Sequence, residues 1–104
     1  MEHLEFTFGT DGAPPPGEFA YAGVVGSGNL EVLLEREPLD GLCVAVVDTA
    51  IHGFERTWQR VLADFVERQR LADVRISIND GGATPAVVTL RLDQAAAELK
   101  RGAA

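Results

Sequence analysis

Apolar and polar residues alternate at the start of the chain, with Leu4, Phe6 and Phe8 set against Glu5 and Thr7, which predicts a strand with one buried face. The same period of two returns from Phe19 to Val25 and from Leu30 to Glu35. In the second stretch Leu30, Val32 and Leu34 share one face and Glu31 and Glu35 the other. The two strands are expected to pair as a hairpin with Ser27 at its tip. Between the first strand and this hairpin, Asp11 to Gly17 contains three consecutive prolines and two glycines, a composition expected of an exposed loop. After a turn at Glu37 to Gly41, the apolar run Leu42 to Val47 is short enough for a central strand covered on both faces. The period then changes. Phe54, Trp58, Val61, Leu62, Phe65 and Val66 fall on one stripe of a helix, with Arg56, Gln59, Arg60, Asp64 and Glu67 facing outward. Glu55 near its start and Arg68 and Arg70 near its end suit the helix dipole, and Trp58 reads as a core anchor. Val74, Ile76 and Ile78 alternate with Arg75, Ser77 and Asn79 as another strand, and Asp80 to Pro85 turns the chain into a further strand at Ala86 to Leu92. A short final helix from Asp93 to Lys100 is closed by Gly102. This order predicts an α+β two-layer sandwich: a mainly antiparallel sheet, one long packed helix and a short C-terminal helix.

Composition narrows the function classes. A chain of 104 residues with 46% hydrophobic content is expected to form a single domain over residues 1–104. Its 16 acidic residues against 9 basic give a net charge of −7, which suits neither a nucleic acid partner nor an anionic membrane surface. An acidic surface does suit brief visits to basic patches on other proteins, as it suits simple solvation. Cys43 is the only cysteine and sits in the apolar run, so it reads as a core thiol without a disulfide. The N-terminal residues lack the basic start and apolar run of a signal peptide, and no stretch is long enough to span a bilayer, so the expected location is cytoplasmic.

Candidate chemistry centres on one short segment, Val25-Gly26-Ser27-Gly28-Asn29-Leu30. A serine between two glycines presents its hydroxyl on a backbone that another molecule can approach closely. Gly26 and Gly28 equally suit a plain turn. The segment lacks the lysine and following helix of a phosphate-binding loop, and the strand-to-helix setting of a nucleophile elbow. His3 reads as a frayed terminal residue and His52, with Gly53, as part of the helix start; neither offers Ser27 a supported base. The histidines and scattered acids form no metal-ligand pattern. Asp48 and Asp80 end separate strands and could meet, although carboxylates in turns are commonly just solvated. No catalytic residue is assigned.

Three stretches together carry a family resemblance: Gly23 to Leu34 around Gly26-Ser27-Gly28, then Arg56-Thr57-Trp58-Gln59, then Gly82 to Gln94. In this order and spacing they resemble the small acyl carrier (delta) subunit of bacterial malonate decarboxylase and, more distantly, the citrate lyase carrier subunit. The resemblance leads one to expect aspartate at the position of Asn29 and does not extend to the Pro14-Pro15-Pro16 loop. The resemblance implies that Ser27 carries phosphoribosyl-dephospho-CoA through a phosphodiester, with Gly26 and Gly28 shaping the turn and giving access. It implies a carrier of acetyl and malonyl thioesters that is not itself an enzyme. Its implied partners are an acyl transferase subunit, decarboxylase subunits and a prosthetic-group transferase. An ordinary carrier protein is a helical bundle with Asp-Ser-Leu at a helix start, and that motif is absent here. The alternative class is an unmodified α+β interaction adaptor.

Overall fold

The computed structural model describes residues 1–23 and 30–102. The elements run β1 (Glu2–Phe8), β2 (Phe19–Gly23), β3 (Leu30–Arg36), β4 (Cys43–Thr49), α1 (Glu55–Gln69), β5 (Val74–Asp80) and α2 (Pro85–Arg101). The strands form one sheet in the order β1-β4-β5-β3-β2. Only the β4–β5 pair, joined through α1, is parallel; the other three pairs are antiparallel. The α+β two-layer architecture expected from the sequence is present.

Alternation sets the core. Val32 and Leu34, Cys43, Ala45 and Val47, and Val74, Ile76 and Ile78 are buried on one face of the sheet. Helices α1 and α2 cover that face: α2 lies over β2 and β3, α1 reaches β1, and the helices touch each other. Trp58, Leu62, Phe65 and Val66 descend from α1, and Val88, Leu92, Ala95, Ala96 and Leu99 from α2, into one continuous cluster. Each large side chain so buried contributes about 1.5–3 kcal/mol of transfer free energy. Cys43 is buried among them with its Sγ 3.4 Å from the Leu71 carbonyl, and burial pushes its thiol pKa up, so it is an inert core group.

Several expectations are corrected. Strand β4 is an interior strand, flanked by β1 and β5, but it is not covered on both faces: it alternates between buried and half-buried positions because helices cover only one of them, and β5 holds the middle of the sheet. Residues 86–92 are not a strand. They are the first half of α2, which at 17 residues is longer than the 15 of α1. Thr84 caps this helix by accepting from the Val87 amide, and Pro85 occupies the first turn, where its missing N–H costs nothing. Phe54 is not in the core: it is the N-cap residue of α1 and 50% exposed. The proline segment is no simple exposed loop either, since Pro15 and Gly17 are buried. The Ala13 amide donates to the Arg70 carbonyl at 3.0 Å and the Gly17 amide to the Leu99 carbonyl at 2.9 Å, fastening the segment to the ends of both helices. A Cβ at Gly12 would lie 1.9 Å from the Arg70 carbonyl oxygen, so only glycine fits this approach.

Gly102 ends α2 as expected, with φ +63° and its amide bonded to the Leu99 carbonyl. The turn before β4 is held from a distance, because Asp73 Oδ1 accepts from the amides of Leu39 and Gly41. No described helix is long and apolar enough to cross a membrane.

Candidate functional site

The segment 24–29, which holds Gly26, Ser27, Gly28 and Asn29, lies outside the described residues. Its two anchors are described. Gly23 ends β2 opposite Glu31, and Leu30 opens β3 opposite Asp80. Asp80 also pairs with Thr49, the last residue of β4. The chain therefore enters and leaves the Ser27 segment at the end of the sheet where β4 and β5 finish.

That end carries a groove of about 450 Å³, walled by Thr49, Ile51, Trp58, Asp80, Pro85 and Val88 among others. It lies where the parallel strands β4 and β5 end side by side and the helices that follow them, α1 and α2, begin, the kind of place at which open α/β sheets present a crevice. Its walls are mostly apolar. Trp58 is 6% exposed, so it serves both as the core anchor expected and as a groove wall.

Asp80 is not a solvated turn carboxylate. It is 7% exposed, accepts from the Thr49 hydroxyl at 2.8 Å through Oδ2, and accepts from the amides of Gly82 and Ala83 through Oδ1. With both oxygens engaged, its work is to fix the β5–α2 turn, an Asx-type turn. Asp48 does not meet it. Asp48 pairs with Asn79 and so lies on the opposite face, where its Oδ1 is 2.6 Å from His3 Nδ1.

His3 is thus no frayed end: it sits within β1, with Nε2 also 3.0 Å from Glu5. Hydrogen bonding to Asp48 first, and to Glu5 second, raises its pKa above 6.5. Glu31 faces outward as expected and accepts from the Tyr21 hydroxyl at 3.0 Å, which raises the tyrosine pKa. Thr84 and Pro85, read from sequence as part of a turn, are the capped start of α2. His52 and Gly53 precede α1 without a side-chain cap, and the Gly53 amide donates to Glu2 at 3.3 Å. Among the described residues no three His, Cys, Asp or Glu side chains gather as a metal site. The groove was missed by sequence reasoning because its walls come from four separate elements. The signals for it were Phe54 and Ile51, large apolar residues flanking a helix start.

Comparison with known proteins identifies the chain's relatives. The family model of the malonate decarboxylase delta subunit (MdcD) matches residues 18–99. Curated malonate decarboxylase acyl carrier proteins are similar to it over nearly their whole length. The one from Stenotrophomonas maltophilia is 53% identical over 103 residues, covering 98% of this chain and 97% of that protein. Those from Xanthomonas euvesicatoria and Burkholderia cepacia are 58% and 57% identical, covering 91% and 95% of this chain and 91% of each relative. The fold matches a chain in the crystal structure of a Pseudomonas malonate decarboxylase hetero-tetramer in complex with malonate, with a TM-score of 0.80 and 39% identity, covering 95% of this chain and 99% of that one. With the two-layer fold, the matched span and the relatives all in agreement, the chain belongs to the malonate decarboxylase acyl carrier (delta) subunits, a family of carriers rather than catalysts.

Proposed function

We propose that this chain, as one carrier domain over residues 1–104, works as a subunit of a malonate decarboxylase complex and holds its acyl cargo on a phosphoribosyl-dephospho-CoA group esterified to Ser27. The observation that carries this reading is the family match, whose residues 18–99 include the Gly26-Ser27-Gly28 segment. Its partners would be the acyl transferase and decarboxylase subunits, in keeping with the hetero-tetrameric assembly of the Pseudomonas relative, together with the transferase that installs the group. The setting would be cytoplasmic.

When bound, the group supplies a thiol that takes acetyl or malonyl as a thioester, whose carbonyl can accept the negative charge left by loss of carbon dioxide far better than a free carboxylate can. The residues of this chain have simpler tasks. Ser27 Oγ forms the phosphodiester and is thereby barred from acting as a nucleophile during turnover. Gly26 and Gly28 leave the serine without bulky neighbours, so a modifying enzyme can reach it. Strands β2 and β3 anchor the segment to a rigid sheet, so that the tether and not the carrier fold does the moving. Tethering turns encounters between active sites into intramolecular ones, at effective concentrations on the order of mM for a short flexible link.

The groove beside Thr49 and Asp80 fits the group as far as its chemistry goes. Its apolar walls at Ile51, Phe54 and Val88 suit an uncharged stretch of arm, and it opens at the sheet end from which the Ser27 segment departs. The test is the intact mass of the chain co-expressed with the modifying enzymes. The wild type is expected to gain the mass of phosphoribosyl-dephospho-CoA and Ser27→Ala none. A wild-type chain left unmodified by enzymes that load a known carrier would leave the adaptor reading in front.

A further inference from the structure

The sheet has a second face, and charge is divided sharply between it and the helices. Of the nine Lys and Arg residues in the chain, only Arg36 and Arg75 lie outside α1, its capping residue Arg70, and α2. The acids are distributed the other way: apart from Glu55, Asp64, Glu67, Asp93 and Glu98, all sixteen belong to strands and loops. Strands and loops thus hold eleven acids against Arg36 and Arg75, and four of those acids, Glu5, Glu31, Glu35 and Asp48, lie on the open sheet face, while the helical layer is mixed.

The strand registers lay this open face out in rows. The middle row reads Tyr21, Leu33, Ser77, Val46, Glu5 across β2, β3, β5, β4 and β1. Beside it runs the row Gly23, Glu31, Asn79, Asp48, His3, at the sheet end where residues 24–29 connect β2 to β3. On the other side lies Phe19, Glu35, Arg75, Val44, Thr7. No described helix covers this face: Phe19 is 69% and Tyr21 47% exposed, and Leu33, Val44 and Val46 are only half-buried. The result is an apolar patch at Tyr21 and Leu33, with Val46 beyond Ser77, bordered by Glu5, Glu31, Glu35 and Asp48. Arg75 and, when protonated, His3 are the cations within it.

We infer that the open sheet face, Tyr21-Leu33-Val46 with its rim of Glu5, Glu31, Glu35 and Asp48, is the surface on which this carrier docks to a partner protein bearing an apolar patch rimmed by arginine and lysine. The acidic rim selects a basic partner and steers its approach, while Tyr21, Leu33 and Val46, on either side of Ser77, give the contact its apolar area. A second copy of the chain is disfavoured as the occupant, because it would set acid against acid. The helical face has no such imbalance. Docking through the sheet also leaves the groove, on the covered side, free. The inference rests on the carrier reading only for the partner's identity, a subunit of the malonate decarboxylase complex.

The experiment compares two variants with the same change in net charge, Glu31→Lys/Glu35→Lys on the sheet face and Glu67→Lys/Glu98→Lys on the helices. Each is co-expressed with the other subunits of the complex, captured through a tag on those subunits, and its affinity measured at low and high salt. The sheet-face variant is expected to bind at least about tenfold more weakly and to lose most of its salt dependence, whereas the helix-face variant changes less than about twofold. Equal losses, no loss in either, or loss confined to the helix-face variant would overturn the assignment. Should the sheet-face variant fail to fold by circular dichroism, carbodiimide labelling of the wild-type complex decides instead. Protection of Glu5, Glu31 and Glu35 with Glu67 and Glu98 still labelled supports the surface, and the reverse pattern removes it. With the modifying enzymes also co-expressed and active on a known carrier, the intact mass of the captured chain separates the two readings: a chain captured through the sheet face without its prosthetic group keeps the docking surface and sinks the carrier role.

Discussion

Leu33 and Leu34 are neighbours in β3, yet Leu34 is fully buried under the helices and Leu33 stands half-buried on the open face. The same split runs through the whole sheet, since Val47 and Ile76 are sealed while Val46 and Ser77 meet solvent. One face has been committed to holding the fold together. The other is stabilised by little more than cross-strand neighbours and so remains free to be chosen for contact with something else. In a two-layer protein this asymmetry is unavoidable, because two helices can cover only one side of a five-stranded sheet. What is particular to this chain is that the uncovered side sets Glu5, Glu31, Glu35 and Asp48 around Tyr21 and Leu33.

The sharpest way to break the comparison is to truncate the two leucines. Leu34→Ala is expected to destabilise by about 2–5 kcal/mol, the range for a leucine removed from a packed core. Leu33→Ala should cost at most about 1 kcal/mol, as expected away from the core. Both are read by urea unfolding with the slope held common. Equal effects would mean that the open face is covered in solution.

A smaller effect tests the covered side alone. Thr84→Ala removes the hydroxyl that accepts from the Val87 amide, and is expected to lower stability by about 1 kcal/mol. Thr84→Ser should restore most of it. Hydrogen exchange at the first turn of α2 would locate the loss; an unchanged helix start would show that Pro85 alone holds it.

The smallest effect belongs to the open face. His3 has its pKa raised by Asp48 and Glu5, so the charged imidazolium is the favoured partner in the folded state. Its stabilising contribution is fully present below the unfolded value near 6.5 and is lost as pH rises through the higher folded value. The ring is exposed, so screening keeps the effect on global stability slight. The observable is the His3 titration by NMR, which should move down toward 6.5 in Asp48→Asn. An unmoved midpoint would show that the Asp48 contact does not persist in solution.

Much of this molecule was legible before any fold was known. The alternation of Val74, Ile76 and Ile78 and the helical stripe through Trp58, Leu62, Phe65 and Val66 record burial directly, since each element must turn its apolar side to the same interior. The stretch 86–92 misled because Val87, Val88 and Thr89 are β-branched and favour strands locally, while Val88, Leu92, Ala95, Ala96 and Leu99 also suit one helical face. The Thr84-Pro85 pair was the available signal for the helix. Ser27 stood out through its glycine neighbours and the family resemblance, not through hydrophobic periodicity, which records burial and not chemistry.

By itself, then, the sequence determined most of the core positions of the strands and of α1, the mixed α+β class, the buried inert thiol of Cys43 and the acidic net charge, because these follow from local period and composition. Tertiary structure alone decided that β5 is the central strand, that Asp80 is buried in the turn it organises while Asp48 joins His3 across the sheet, and that the proline segment is fastened to both helix ends. It also decided that Glu5, Glu31, Glu35 and Asp48, far apart in sequence, share the open face. Each of those outcomes depends on which distant segments become neighbours, and strand order and register are set by the joint packing of the whole core, not by any single stretch of chain.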